Sequence, residues 1–334
     1  MKVFVSQRIF PEGLEILKGA GLEVELNDAN TPLAKAELIE RLQGADGLLC
    51  LLTDTIDAEV LRGAPQLRIV ANVAVGYNNI DVKAASERGI LVTNTPDVLN
   101  EATADLTFAL LLAAARRIPE SERYLRAGAF EGWELFQPHL GFDVWGKTLG
   151  LLGLGRIGQA VARRARGFNM RLLYHNRKRV SGDLEGDLGA HYVSFEELLR
   201  ESDYLSVHTP LTEETRNLFS TPQFELMKPS AILINTARGP IIDEAALAKA
   251  IREGQIKGAA LDVFEAEPKV HAGLLELEAH VVLVPHIGSA TYATRRGMSA
   301  LAAKNMVAGL GNKLPPNPVN PEVWEEQKDK GDKR

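Results

Sequence analysis

The chain has 334 residues, 45% of them hydrophobic and 25% charged, enough apolar material for sizeable cores and a length that favours two lobes over one. Its 38 Lys plus Arg against 44 Asp plus Glu give a formal net charge of −6, which argues against a general nucleic-acid binder, because displacing phosphate counterions needs a basic face. A single cysteine, Cys50, excludes an intrachain disulfide and a cysteine-based zinc site; residues 1–10 lack a signal-peptide pattern and the longest apolar run is only 108–115, so a soluble cytoplasmic protein is expected.

Short β-type runs alternate with helical patterns almost from end to end, as βαβ units do. In chain order, strands are expected at 2–5, 22–26, 47–51, 68–71 and 90–92, with a helical stretch over 33–43 that can bury Leu33, Ile39 and Leu42. A long helix follows from an Asn100 N-cap to about Arg117, with Pro119 near its end. Residues 130–145 carry Trp133, Phe136, Pro138, Phe142 and Trp145 without a clear period, and read as an arm over a second subunit. The alternation restarts with strands at 148–152, 171–174, 204–207, 231–234, 258–262 and 281–284, and Ser194 with Glu197 fits a capping box. A last helix runs from Thr291 toward Leu310. Beyond Pro315, Pro316, Pro318 and Pro321 the charged tail to Arg334 is expected to be disordered.

Gly153-Leu-Gly155-Arg-Ile-Gly158 lies between the apolar run 149–152 and the helical stretch 159–166, with a second strand ending near Tyr174. Alone this spacing is a weak signal, but strand, turn and helix are the context a dinucleotide fingerprint requires. Gly153 allows the tight turn, Gly155 the approach of pyrophosphate, and Gly158 the packing of helix on sheet. An NAD site usually places an acid at the end of the second strand for the ribose 2′-hydroxyl. Here that stretch reads Tyr174-His-Asn-Arg-Lys-Arg179, without one. Arg177, Lys178 and Arg179 would attract a 2′-phosphate, so NADP(H) is favoured and NAD(H) stays possible, the ordinary alternative being a solvated basic turn.

Three polar residues follow apolar strand-like runs, where an α/β sheet presents its ligand crevice: Arg238, Glu267 and His286. Singly, each has an ordinary explanation, as an ion-pair partner, a loop acid and a core histidine. Together, Asn235-Thr-Ala-Arg-Gly239, Leu261-Asp-Val-Phe-Glu-Ala-Glu-Pro268 and Pro285-His-Ile-Gly-Ser289 resemble the D-isomer-specific 2-hydroxyacid dehydrogenase family. Val75-Gly-Tyr-Asn-Asn-Ile-Asp81, Thr93-Asn-Thr-Pro96 and His208-Thr-Pro-Leu-Thr-Glu-Glu-Thr215 look like family segments too, and the likeness runs from about residue 2 to about 320. Ala74-Val-Gly-Tyr77 and Gly141-Phe-Asp-Val-Trp-Gly-Lys147 bring it nearest the glyoxylate/hydroxypyruvate reductases of that family.

The resemblance implies an α/β fold of two doubly wound Rossmann-like domains. A dinucleotide-binding domain, 100–287, would be inserted into a discontinuous substrate/catalytic domain, 1–99 and 288–334, with hinges near Leu99 and Gly288. It implies an NAD(P)-dependent reduction of small 2-oxo acids, glyoxylate and hydroxypyruvate, to glycolate and D-glycerate. His286 would be the acid/base, Glu267 its orienting carboxylate and Arg238 the substrate anchor. The chemistry agrees: a neighbouring carboxylate favours charged imidazole, and a guanidinium can hold a carboxylate while donating toward the keto oxygen.

The amides of Val75 and Gly76 would complete the carboxylate site, and contacts near Leu51, Leu52 and Trp133 would set side-chain selectivity. Asp262 resembles the residue that holds the nicotinamide carboxamide, with Thr236 and Ala237 lining the cleft and Thr103 reaching in from the long helix. Arg156, Ile157, Asn176, Pro210, Thr215 and Gly288, together with Arg238 and His286 themselves, fall in the implied cofactor set. His139, His191, His271 and His280 are left as structural or surface groups, and His175 and His208 as cofactor neighbours without catalytic work. No metal-ligand pattern is present, and no metal, nucleic-acid or membrane partner is expected; a homodimer built around the cofactor lobe and the arm is. Two readings stand beside this one: another D-2-hydroxyacid dehydrogenase, acting on D-lactate, D-glycerate or a bulkier acid, and a non-catalytic NAD(P)-sensing corepressor, which shares the fold and the Arg–Glu–His set.

Overall fold

A computed structural model describes residues 1–331. The chain divides into two compact units, Met1–Leu99 with the segment from Ala290 onward, and Asn100–Ser289. Apolar runs buried on both faces become parallel strands, and each expected strand is found within one residue at either end.

The first unit contains β1 (Lys2–Val5), β2 (Glu23–Leu26), β3 (Gly47–Cys50), β4 (Ile69–Asn72) and β5 (Leu91–Thr93), all parallel in the order β2-β1-β3-β4-β5. Alternate residues build two cores. Phe4, Leu48, Val70 and Val92 meet Leu38, Leu42, Val60 and Leu61 on one face. Val5, Leu49, Ile69 and Leu91 meet Leu17, Ala302, Met306 and Leu310 on the other. The helix Tyr292–Leu310 covers that second face, and the Thr291 side chain caps it by accepting the Thr294 amide. The strand order reverses between β1 and β3, so ligand-facing loops are expected at the carboxyl ends of these strands and their neighbours.

The expected disorder of the tail is corrected: Glu322–Gly331 is a helix. Val323 is buried in the second core with Trp324 packed against it, and Asn320 ties the tail to β5 by accepting the Val92 amide at 2.7 Å and donating to the Ile90 carbonyl at 3.0 Å. Two apolar residues with a sheet to rest on outweigh a charged composition. Residues 332–334 of the expected disordered tail lie outside the described residues.

The second unit contains β6 (Thr148–Leu152), β7 (Arg171–His175), β8 (Ala190–Tyr192), β9 (Tyr204–Val207), β10 (Ile232–Asn235), β11 (Gly258–Leu261) and β12 (Val281–Leu283). All are parallel in the order β12-β11-β10-β9-β6-β7-β8, and the order turns between β6 and β9. The helices Asn100–Ala115 and Arg156–Arg166 pack on one face through Phe108, Leu111, Val161 and Ala165, while Leu198, Phe219, Phe224 and Leu247 fill the other. Pro119 does not close the long helix. That helix ends at Ala115, Arg117 takes φ +51°, and Pro119 sits in the first turn of a second helix, Ile118–Arg126, where a missing N–H costs nothing.

The arm 130–145 holds no helix or strand. Trp133 and Phe136 are 77% and 84% exposed, and a cavity of about 360 Å³ under the arm is lined by Tyr124, Phe130, Gln137 and His139 among others. Among the described residues no helix is long and apolar enough to cross a membrane.

Candidate active site

In the second unit the chain leaves β6 through Gly153, whose φ of +102° favours glycine and where a Cβ would lie 2.7 Å from the His208 carbonyl carbon. A Cβ on Gly158 would come within 2.2 Å of the Gly153 carbonyl oxygen, so this glycine serves the turn itself more than the helix–sheet contact expected of it. Gly155, at the N-cap of Arg156–Arg166, is different: a Cβ there would meet nothing within 4 Å. The open side of the loop is therefore the side where free helix amides face out, which fits a pyrophosphate. Asn176, past the end of β7, accepts the Leu154 amide at 2.7 Å and fixes this loop from the neighbouring strand. Ile157 packs its side chain toward the core, while Arg156 is exposed. Thr215 donates to the Pro210 carbonyl at 2.8 Å and accepts the Thr212 amide at 2.7 Å, closing the turn after β9.

The three basic residues after β7 are not equivalent. Arg177 and Lys178 are exposed and take part in none of the ion pairs seen among the described residues. Arg179 is held by Glu185 through both oxygens, Nε to Oε1 at 2.7 Å and Nη2 to Oε2 at 2.7 Å. The Tyr174 hydroxyl donates to the same carboxylate at 2.6 Å, and the guanidinium stands 5.8 Å from the centre of the Tyr192 ring. Arg179 and then Tyr174 hold the Glu185 carboxyl down at about 2. The run from Tyr174 to Arg179 contains no acid, but the fold supplies one from the next helix, Gly182–Leu188.

The Arg–Glu–His set is assembled from three loops at the carboxyl ends of β10, β11 and β12. His286 Nδ1 and Glu267 Oε2 are 2.9 Å apart, and Glu267 Oε1 accepts the Phe264 amide at 3.0 Å. Burial opposes charge on Glu267, but His286, the Phe264 amide and Arg238 together hold its carboxyl below the usual range. His286 has φ +53°, an unusual conformation for a side chain of this size.

Asp262 enforces that turn. Its carboxylate accepts the Ile287 amide at 2.6 Å and the Gly288 amide at 2.8 Å, while its carbonyl accepts the His286 amide at 2.9 Å. Burial raises the Asp262 carboxyl above its ordinary value against the pull of those amides and of His286. Thr103 donates to the Gly288 carbonyl at 3.3 Å, which places it at the same turn. Gly288 is thus built into the second unit, and the change of unit comes after Ser289 rather than at 287/288.

Arg238 is positioned by a residue that the motif reading gave no role. Asn235, the last residue of β10, donates to the Arg238 carbonyl at 2.9 Å and accepts the Ala237 amide at 3.0 Å. Gly239 then packs so tightly that a Cβ would fall 1.9 Å from the Phe264 carbonyl, which brings the Arg238 and Glu267 loops side by side. Burial lowers the Arg238 pKa, and the Glu267 charge works the other way. Thr236 shares a 2.9 Å hydrogen bond with Thr107.

Leu52, Val75 and Gly76 belong to the first unit, in the loops after β3 and β4. The Val75 carbonyl accepts from Asn94 at 2.8 Å and the Gly76 carbonyl from Asn72 at 2.9 Å, and among the described residues neither amide donates a hydrogen bond. Asn79 donates to the Leu51 and Asp54 carbonyls, each at 3.1 Å, and accepts from Asn72 at 3.1 Å. Asp54 is buried and accepts from Ser6, from Gln7 at 3.0 Å and from the Leu51 amide at 2.7 Å. These holders are neutral or wholly buried, and motif logic passes them over.

Five of the other six histidines have local partners, and His191 is exposed on β8. His280 is buried with Nδ1 at 3.0 Å from the Ala114 carbonyl, His271 caps Ala272–Leu275, His139 packs edge-on to Tyr124, His175 lies against Tyr192, and His208 Nε2 is 2.8 Å from Ser206 Oγ. Among the described residues no group of three or more His, Cys, Asp or Glu is placed to hold a metal ion.

Residues 108–288 match the family model described as D-isomer specific 2-hydroxyacid dehydrogenase, NAD binding domain. The chain is 52% identical over 324 residues to a glyoxylate reductase of Korarchaeum cryptofilum, covering 96% of each. Among solved structures it is similar to a glyoxylate reductase from Paecilomyes thermophila, with TM-score 0.87, 33% identity and coverage of 96% of this chain and 99% of that one. It is also similar to an NADPH-dependent glyoxylate/hydroxypyruvate reductase from Sinorhizobium meliloti in complex with NADP and malonate, with TM-score 0.85, 36% identity and coverage of 95% and 96%.

Proposed function

The chain belongs to the D-isomer specific 2-hydroxyacid dehydrogenase family and is an NAD(P)-dependent dehydrogenase; from that premise we propose that it reduces glyoxylate and hydroxypyruvate to glycolate and D-glycerate, with NADPH favoured over NADH. The observation that carries the reading is the 2.9 Å contact of His286 with Glu267 beside the half-buried Arg238.

When bound, the reduced dinucleotide supplies a hydride to the substrate carbonyl carbon. Because Nδ1 of His286 faces Glu267, Nε2 is the atom that gives a proton to the carbonyl oxygen in reduction and takes it back in oxidation. Glu267 fixes the ring and, by taking Nδ1, its orientation. Arg238 holds the substrate carboxylate and donates toward the keto oxygen, polarising it before transfer. In the first unit, the Val75 and Gly76 amides offer donors for a carboxylate, and Leu52 an apolar neighbour for a small substituent. Gly153, Gly155 and Gly158 take the pyrophosphate with Arg156 and Ile157 beside them. Asn176, Arg177, Lys178, Pro210 and Thr215 serve the adenosine end, while Thr103, Thr236, Ala237, Asp262 and Gly288 serve the nicotinamide end.

The NADPH preference is supported by the absence of an acid from Tyr174 to Arg179 and by the exposure of Arg177 and Lys178. The test is oxidation of NADPH and of NADH with glyoxylate and with hydroxypyruvate. Faster turnover with NADPH is expected; equal or faster turnover with NADH would reduce the basic turn to a solvated one. No turnover with any small 2-oxo acid would overturn the activity itself. The exposed apolar arm around Trp133 and Phe136 also supports a homodimer, and a monomeric mass by light scattering at assay concentration would remove it.

A further inference from the structure

We propose that Glu185 sets the strength of the cofactor preference, by pairing with Arg179 and withholding its positive charge from a 2′-phosphate. The proposal rests on the reading that the turn 176–179 faces the adenosine ribose.

The two partners are anchored unequally. The Glu185 side chain is only 11% exposed and receives the Tyr174 hydroxyl, whose oxygen in turn accepts the Val180 amide at 3.1 Å. The Arg179 side chain is 63% exposed, and its guanidinium is held by that carboxylate and lies 5.8 Å from the centre of the Tyr192 ring. Tyr192 also donates to the Asn176 carbonyl at 3.3 Å, and Asn176 accepts the Leu154 amide of the glycine loop. The ion pair is therefore wired into the backbone that presents the turn.

Charge arithmetic follows from this wiring. Arg177, Lys178 and Arg179 count as three cations in the sequence, but the bidentate pair with Glu185 neutralises one of them and occupies its Nε and Nη2 donors. A 2′-phosphate at this turn meets the net field of two cations, while a 2′-hydroxyl is almost indifferent to it. Glu185 thus acts on NADPH far more than on NADH, and it acts through Arg179. It is a positioning residue that tunes specificity without contact to the ligand.

The Glu185→Gln variant separates the charge from the architecture, because the amide oxygen still accepts the Tyr174 hydroxyl and Arg179 Nε, while the negative charge is gone and the amide nitrogen leaves Arg179 Nη2 without its acceptor. Dissociation constants for NADPH, NADH and 2′,5′-ADP, read by fluorescence titration and calorimetry, provide the test. Expected is about three- to tenfold tighter binding of NADPH and 2′,5′-ADP, with NADH changed less than about twofold. Arg179→Met leaves the Glu185 carboxylate uncompensated and should weaken NADPH and 2′,5′-ADP binding in the unaltered chain, whereas in the Glu185→Gln background it restores the two-cation field and cancels the gain. Weaker NADPH binding in Glu185→Gln, an equal shift for both cofactors, or a gain that survives Arg179→Met would each overturn the proposal.

Arg177→Ala tests the underlying reading separately. If it leaves 2′,5′-ADP binding unchanged, the turn does not face the 2′-phosphate, and both ideas fall. If it weakens 2′,5′-ADP while Glu185→Gln does nothing, only the role of Glu185 falls.

Discussion

The two units present their candidate residues in the same way and build them from opposite materials. Both carry parallel sheets whose loops at the carboxyl ends hold the chemistry. In the second unit the proposed working groups are charged side chains, Arg238, Glu267 and His286, brought together by tight backbone turns. In the first unit the proposed groups are main-chain amides at Val75 and Gly76, and the side chains of Asn94 and Asn72 hold the loop through its carbonyls. Charged groups can create a chemical step and announce themselves by residue type. Amides can bind and polarise but do not exchange a proton with the substrate, and any residue except proline can supply one, so such a site is legible only through the neutral side chains that fix it.

The largest effect is expected where the comparison places the chemistry. His286→Ala should lower kcat by about 10²–10⁴-fold, the usual worth of a positioned acid/base, with the dissociation constant of NADPH nearly unchanged. Glu267→Gln keeps an acceptor for the ring but loses the charge, and should fall between this variant and the parent. Turnover by His286→Ala at the parent rate would end this division of labour between the units.

A second, smaller effect comes from a buried histidine outside that set. Burial draws the His208 imidazole down to about 4, against about 6.5 in an unfolded chain. Above pH 6.5 both states are neutral there and stability is unaffected. As pH falls below 6.5 the unfolded chain takes up a proton that the fold refuses, so stability is lost progressively down to about pH 4. The loss assigned to His208 is on the order of 2 kcal/mol between pH 7 and pH 4.5. Urea midpoints for the parent and for His208→Gln at the two pH values isolate it, since other acids contribute to both. Equal pH slopes would assign the acid sensitivity elsewhere.

The sequence carries much of this molecule and loses particular parts for identifiable reasons. Strands such as β6 and β10 are buried at every position and apolar at all but one, so their place needs no tertiary knowledge. β8 has only three residues, of which only Ala190 is buried, too short a run to register. The tail helix depends on Val323 and Trp324 finding a sheet, which no local pattern reports. Arg238, Glu267 and His286 are legible as motifs, and Glu185 is not, because its partner Arg179 is set by how the chain turns between β7 and the next helix. Asp262 is read for a cofactor contact, and the structure adds a task that no motif announces, since both its oxygens accept amides of the turn that bends His286 into place.

The least conspicuous residue gives the finest test of the comparison. Asn79 sits outside any strand and holds Leu51 and Asp54 on one side and Asn72, hence Gly76, on the other. Asn79→Ala leaves two carbonyls without their side-chain donor, which should cost about 1–2 kcal/mol of stability. More tellingly, it should raise the KM for glyoxylate by roughly three- to tenfold while kcat moves less than about threefold, because a loosened amide pair weakens binding before it weakens chemistry. Asn79→Asp accepts but cannot donate, so it should behave like the alanine variant and not rescue it. NADPH affinity, which belongs to the second unit, should stay constant in both and serves as the control for folding. A fall in kcat at constant KM would instead place Asn79 in the chemical step, and the contrast between a unit that binds through its backbone and a unit that reacts through its side chains would fail.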